Sequence, residues 1–202
     1  MTIANAISNG IKIGLKNFFP LLINTILWIL TIWIPYLNVG TTIGLIGLIA
    51  KMGKGASGLS PTEIFNPDYR KNMGEFFLVM AFNHIGVLIG FLFLVIPAYV
   101  IQIAWSQSVF LVLDQNMDPI QAIKKSNEIT YGKKWSIFFA QVLPVLGFYI
   151  ISMILIAVGG AIHEYVQVFF MLIIFIGALL IGPILMGIQA YIYNTLALNN
   201  SQ

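Results

Sequence analysis

The 202-residue sequence predicts an all-α, polytopic membrane protein with about six transmembrane helices and two short cytoplasmic interfacial helices, as a single domain over 1–202. Three observations lead there. Hydrophobic residues make up 59% of the chain and charged residues only 8%, whereas a soluble domain carries roughly a quarter charged residues to cover its wet surface. Several apolar runs approach or exceed the ~20 residues that a helix needs to cross a hydrocarbon core. All ten Lys and Arg fall on three segments: Lys12 and Lys16; Lys51, Lys54, Arg70 and Lys71; Lys124, Lys125, Lys133 and Lys134. None lies in the intervening turns near residues 37, 97 and 162. The positive-inside rule then places the N-terminus and both long loops, about 53–74 and 114–134, on the cytoplasmic side of the membrane.

Residues 2–15 are amphipathic and lead to a first, uncleaved span from about Phe18 to Tyr36, with Pro20 and Pro35 near its ends. A second span, Thr41 to Met52, is short enough to be recessed or only partly crossing. Its Gly40 and Gly44 form a GxxxG pair suited to close helix approach. In the loop that follows, Ser60-Pro61-Thr62-Glu63 reads as a capping box, with Glu63 reaching back to the cap amide; Asn66-Pro67 stops the helix. Span three runs from about Gly74 to Ile96, and Asn83, Gly86, Gly90 and Pro97 share one small, polar face. The chain turns at Ile96-Pro97-Ala98, and span four returns through about Leu113.

Asp118-Pro119-Ile120-Gln121 opens the second cytoplasmic helix with an Asp cap and Pro at the first position. Gln121, Lys124, Lys125 and Glu128 gather on one arc of it. Apolar residues occupy the rest, the pattern of a helix lying on the membrane and ended by Gly132. Lys133, Lys134 and Trp135 anchor span five, about Trp135 to Val158. The last apolar run, Tyr165 to Leu198, reads as one long helix kinked at Gly182-Pro183, the alternative being two half-spans. Phe-Phe pairs at 18–19, 76–77 and 138–139 each follow an amphipathic piece, which suggests three units of surface helix plus hairpin.

Several function classes drop out. With no Cys there is no thiol, disulfide or cysteine metal chemistry. The net charge of +3 sits beside spans rather than on one soluble face, which points to membrane lipids and not to nucleic acid. His163-Glu164 begins a zinc-protease pattern, but residue 167 is Gln, so no metal site is assigned. Asp114 and Asp118 read as helix caps in a solvated loop. No catalytic constellation, cofactor site or nucleotide loop can be assembled.

The central stretch resembles the bacterial multi-span family typified by the membrane domain of glycerophosphodiester phosphodiesterase, together with related uncharacterised membrane proteins. The residues that carry the likeness are Glu63-Ile64-Phe65, Val95-Ile96-Pro97, Trp105-Ser106, the run Asp118 to Ser126, Gly132 and Trp135. This chain has Ala98 where the family usually reads Gly. The resemblance implies a six-helix membrane module without the separate soluble catalytic barrel, so no enzyme activity is carried over.

Polar side chains within the spans are Asn83, His84, Gln102, Ser106, Gln107 and Gln141. Buried in lipid they need partners on other helices or a wet crevice. Lys124, Lys125, Lys133 and Lys134 offer a surface for lipid headgroups or a partner protein. The expected function is a non-enzymatic inner-membrane scaffold or accessory subunit, bound to another membrane protein or to copies of itself. The alternative is a transporter or channel for a lipid, ion or small solute.

Overall fold

A computed structural model describes residues 1–56 and 58–198, and among them every regular element is helical. In order these are α1 (Ile3–Lys16), α2 (Phe18–Thr31), α3 (Leu37–Gly53), two 3₁₀ turns (Glu63–Phe65 and Pro67–Arg70), α4 (Met73–Leu92) and α5 (Val95–Ala104). There follow α6 (Ser108–Gln115), α7 (Pro119–Thr130), α8 (Lys134–Ile162), α9 (Glu164–Tyr193) and a π turn, Asn194–Leu198. Four stretches are long and apolar enough to cross a membrane: α4, α5 with α6, α8, and α9 with its π turn. Counting the bent pair α1–α2 as one raises this to five, not the expected six.

The N-terminal third departs most from expectation. α1 runs antiparallel along the C-terminal half of α9, and the contact is made by glycines. A Cβ at Gly10 would overlap Ile188, one at Gly14 the Pro183 carbonyl, and one at Gly187 the backbone of Gly10 and Gly14. α2 then leaves α1 at 82°. It has 14 residues, about 21 Å of helix, against the ~30 Å of a hydrocarbon core. The expected first span is thus a short helix that leaves α1 at a steep angle. Phe19, Ile23, Ile26 and Leu30 form an exposed stripe along it, with Trp33 exposed just past its end, while Leu21, Asn24 and Thr31 face inward.

α3 is buried over more than half its residues, covered on one face by the loop and elsewhere by α9, α2 and α6. A Cβ at Gly44 would overlap the backbone of Ile64, one at Gly47 would overlap the Tyr69 ring, and Gly40 packs on the Arg70 side chain. The expected GxxxG helix contact at Gly40 and Gly44 is thus a loop seat. Small-xxx-small pairs that do meet a helix are Gly10 with Gly14, against α9, and Gly86 with Gly90, against the segment from Ala98 to Trp105. Arg70 beside Gly40 also sets a charged residue near the α2–α3 turn, so that turn is not remote from the basic segments as the spacing had suggested.

Asn24, fully buried on α2, ties the loop down. Its amide donates to Ser60 O (2.9 Å) and its carbonyl accepts from Ile64 N (2.9 Å). The capping box is present in part. Glu63 Oε2 accepts from Ser60 N (3.4 Å), but the helical turn starts at Glu63 and is 3₁₀.

Two hairpins complete the fold. α4 ends at Leu92, and the chain reverses at Phe93-Leu94, three residues before the expected corner. Leu94 has φ +130°, and Pro97 lies in the first turn of α5, where its missing N–H costs nothing. α8 and α9 pack on each other, and both run unbroken through their prolines, Pro144 and Pro183. The single long helix expected at 165–198 is what the chain forms. Each Phe-Phe pair sits at or near the start of α2, α4 or α8, but the preceding elements pack differently, so no repeat extends to the tertiary level.

Candidate functional site

The expected fourth span is broken. α5 stops at Ala104, α6 starts at Ser108, and Trp105-Ser106-Gln107 bridge them as turns. A break leaves backbone groups unpaired, and in an apolar interior each costs several kcal/mol unless bonded (roughly 2–7 kcal/mol). α7 supplies the bonds. Ser126 Oγ donates to Ala104 O (2.7 Å) and accepts from Gln107 N (3.1 Å). Thr130 Oγ1 lies 3.2 Å from Ala104 O and 2.8 Å from Ser126 O, donating between them.

Ala122, Ser126 and Thr130, four residues apart, are the fully buried face of α7, flanked by the half-buried Ile123 and Ile129. Its start is as expected, with Asp118 accepting from Ile120 N and Gln121 N. Ile120 and Tyr131 remain exposed.

The break gathers the expected polar residues. Asn83 Nδ2 donates to Ser108 Oγ (3.0 Å), and the Trp105 indole occupies the notch left by Gly86. Ser106 donates to Ile103 O (2.8 Å) and accepts from Gln107 Nε2 (3.0 Å). Gln107 is fully buried, and its Oε1 has no partner among the described residues. On the other side Gln141 Nε2 donates to Gln189 Oε1 (2.6 Å), a residue of α9 that the sequence reading did not single out. His84 Nδ1 lies 2.6 Å from Met80 O, and both His84 and Gln102 are exposed on the outside of the α4–α5 hairpin.

Gln102 and Ser106 line two cavities at once. One, of about 400 Å³, opens between α4 and α5 past Asn83, His84 and Trp105. The second, of about 280 Å³, lies between α5 and the α8–α9 pair, with Gln141 and Gln189 on its far wall.

The lysines divide into two kinds. Lys51 donates to Glu63 Oε1 (2.9 Å), and Lys54 pairs with Asp114 (2.5 Å), which also accepts from Tyr193. Asp114 is therefore a largely buried ion-pair partner, not a solvated helix cap. Burial pushes the Glu63 carboxyl up, but hydrogen bonds from Lys51, Tyr69 and Asn66 outweigh it and hold the group below its ordinary value. Lys125 pairs with Glu128 on the surface (3.2 Å). Lys124, Lys133 and Lys134 make no ion pair among the described residues. His163, far from these, caps α9 by accepting from Tyr165 N (3.3 Å).

Sequence reasoning missed Asn24, Ser126, Thr130 and Gln189. Their common signal is a polar side chain on the face opposite the charges, or within an apolar run, which needs a partner the sequence does not name. No family model, curated protein or solved structure matches the chain.

Proposed function

We propose that this chain is a non-enzymatic bacterial inner-membrane protein that serves as an accessory subunit or scaffold, engaging another membrane protein through the flank of its α4–α5 hairpin. One observation carries the reading. His84 and Gln102 are exposed about halfway along that hairpin, at the rim of the 400 Å³ cavity. They lie level with the docked α7, where the apolar length of the hairpin begins, and polar groups beside acyl chains are met by protein or trapped water. The other polar interior residues are already bonded: Asn83 to Ser108 and Gln141 to Gln189.

In this arrangement α4, α5 with α6, α8 and α9 cross the bilayer, with N-terminus and loops cytoplasmic. α1, α2, α3 and α7 stay on the cytoplasmic side, α2 pressing its apolar stripe into the near leaflet. Gentle extraction from its own membrane followed by native mass spectrometry tests the reading. The expected result is a complex of fixed stoichiometry with another polypeptide, lost in the His84→Leu/Gln102→Leu double variant. A wild-type protein that never holds a partner contradicts it.

The transporter reading has one observation in its favour, the two cavities that meet at Gln102 and Ser106 beside the unpartnered Gln107 Oε1. Solute flux in liposomes that Asn83→Leu/His84→Leu abolishes would select it.

A further inference from the structure

The crevice between α5 and α8 has the form of a lipid site. It is the largest of the described cavities, about 580 Å³, and its walls are almost wholly apolar: Ile96, Tyr99, Val100, Ile103, Phe138 and Val142 among them. The two helices face each other antiparallel, with Tyr99 edge-on to Phe138 (6.4 Å between ring centroids). Lys134 and Trp135 stand at the end where α8 begins, the cytoplasmic end on the reading above, and Val142 lies two turns further along α8.

Charge, polarity and apolar surface succeed one another down this crevice. Lys134 makes no ion pair among the described residues; its Nζ reaches Asn127 Oδ1 (3.3 Å) and lies 5.8 Å over the Tyr131 ring. The carboxylate on the adjoining helix, Glu128, is held by Lys125, and Lys133 adds a second uncompensated charge. One to two turns deeper the crevice adjoins the 280 Å³ polar cavity, sharing Tyr99, Ile103, Phe138 and Val142 with it. There Gln102 has no hydrogen bond from its side chain among those described, and Gln141 uses one amide proton on Gln189, leaving another.

We infer that the α5–α8 crevice binds one anionic phospholipid from the cytoplasmic leaflet, with its phosphate at Lys134, its ester carbonyls at Gln102 and Gln141, and an acyl chain along Val100 and Val142. This rests on the membrane-embedded reading above but not on the identity of any protein partner. A zwitterionic lipid lacks the net charge that unpaired Lys133 and Lys134 select. A soluble anion lacks the chain that the apolar walls require.

The full-length protein, stripped of lipid in detergent, is titrated with phosphatidylglycerol or phosphatidylcholine and read by native mass spectrometry. Phosphatidylglycerol is expected to add as one retained molecule, at least about fivefold tighter than phosphatidylcholine. Lys134→Gln should weaken it about fivefold, the value of about one lysine contact at a membrane surface. Lys124→Gln, at the mouth of the smaller α4–α7 crevice, should leave it unchanged. Val100→Trp, which fills the apolar wall without touching charge, should remove the retained molecule from a variant that still elutes as a single folded species.

Equal retention of the two lipids overturns the inference, as does equal loss from Lys124→Gln and Lys134→Gln, which would mean diffuse surface charge. Inorganic phosphate competing as well as the lipid would assign the site to a free anion, also against it. A protein that binds the lipid but captures no partner would refute the accessory-subunit reading and leave this one standing.

Discussion

The layer built from α1, α3, the 58–72 loop, α6, α7 and the end of α9 contrasts with the two hairpins that leave it. The layer holds most of the large, fully buried side chains, among them Ile43, Leu48, Ile64, Leu111, Ile192 and Tyr193. It also holds the Lys51–Glu63 and Lys54–Asp114 pairs. The α8–α9 hairpin instead exposes Leu143, Leu146, Ile150, Ile154, Phe169 and Leu172 along its length, and its most apolar windows are only 6% buried. Its interior is the contact between its own two helices. The same residue types therefore do opposite work in the two regions. In the layer they are withdrawn from solvent; in the hairpins they are the surface, which is stable only where the solvent is itself apolar.

Glycines break or sharpen this contrast most strongly. A leucine at Gly14 or Gly187 must displace backbone across the α1–α9 contact. Overpacking of that kind costs about 3 kcal/mol, at the upper end of the usual range, and should appear as a large fall in the thermal midpoint in detergent. Gly147, on α8, has nothing within 4 Å of a built Cβ, so Gly147→Leu should leave the midpoint within about 0.5 kcal/mol of wild type. Leucine truncations should show the same division. Leu21→Ala, fully buried, should cost about 2–5 kcal/mol, whereas Leu143→Ala on the hairpin surface should be close to neutral.

Ser126→Ala comes next, because it strips a buried carbonyl and a buried N–H at the α5–α6 break of their shared partner. A loss of about 1–3 kcal/mol is expected, with Ser126→Thr recovering part of it.

The smallest effect is on pH. The folded-state pKa of Glu63 is depressed, so its contribution is present above the ordinary glutamate value of about 4.3 and is lost as pH falls through the lower folded value. Acid titration of the thermal midpoint should show that loss below about pH 4.3. Glu63→Gln should flatten it, at a cost of about 1 kcal/mol because Lys51 is half exposed.

Elements whose signals are local could be read from the chain: the Asp118 cap, the Glu63 reach to Ser60, and the long runs that became α8 and α9. The expectations that failed all depended on what lies across a contact. An apolar run such as 18–36 has the same composition whether it continues straight from its neighbours or bends, and the 82° bend between α1 and α2 is not visible in it. A glycine pair announces close approach without saying to what, so Gly40 and Gly44 were assigned a helix when they hold a loop. The break at Trp105–Gln107 carries no Gly or Pro, and the residue that makes it tolerable, Ser126, lies 19 positions away from Gln107. The polar residues Asn83, Gln102, Ser106 and Gln107 were recognised as a set because lipid makes any polar side chain conspicuous, but their grouping around a helix break was not.

The central claim is that the α4–α5 and α8–α9 hairpins cross the membrane while the α2–α3 hairpin does not. A chain without cysteine allows a direct measurement. Single cysteines at Tyr36, Leu94 and His163 are tested in intact cells with a membrane-impermeant maleimide, and again after permeabilisation. The account predicts that positions 94 and 163 react from outside, whereas position 36 does not. External labelling at 36 matching that at 163 would make α2 and α3 true crossings and contradict the account.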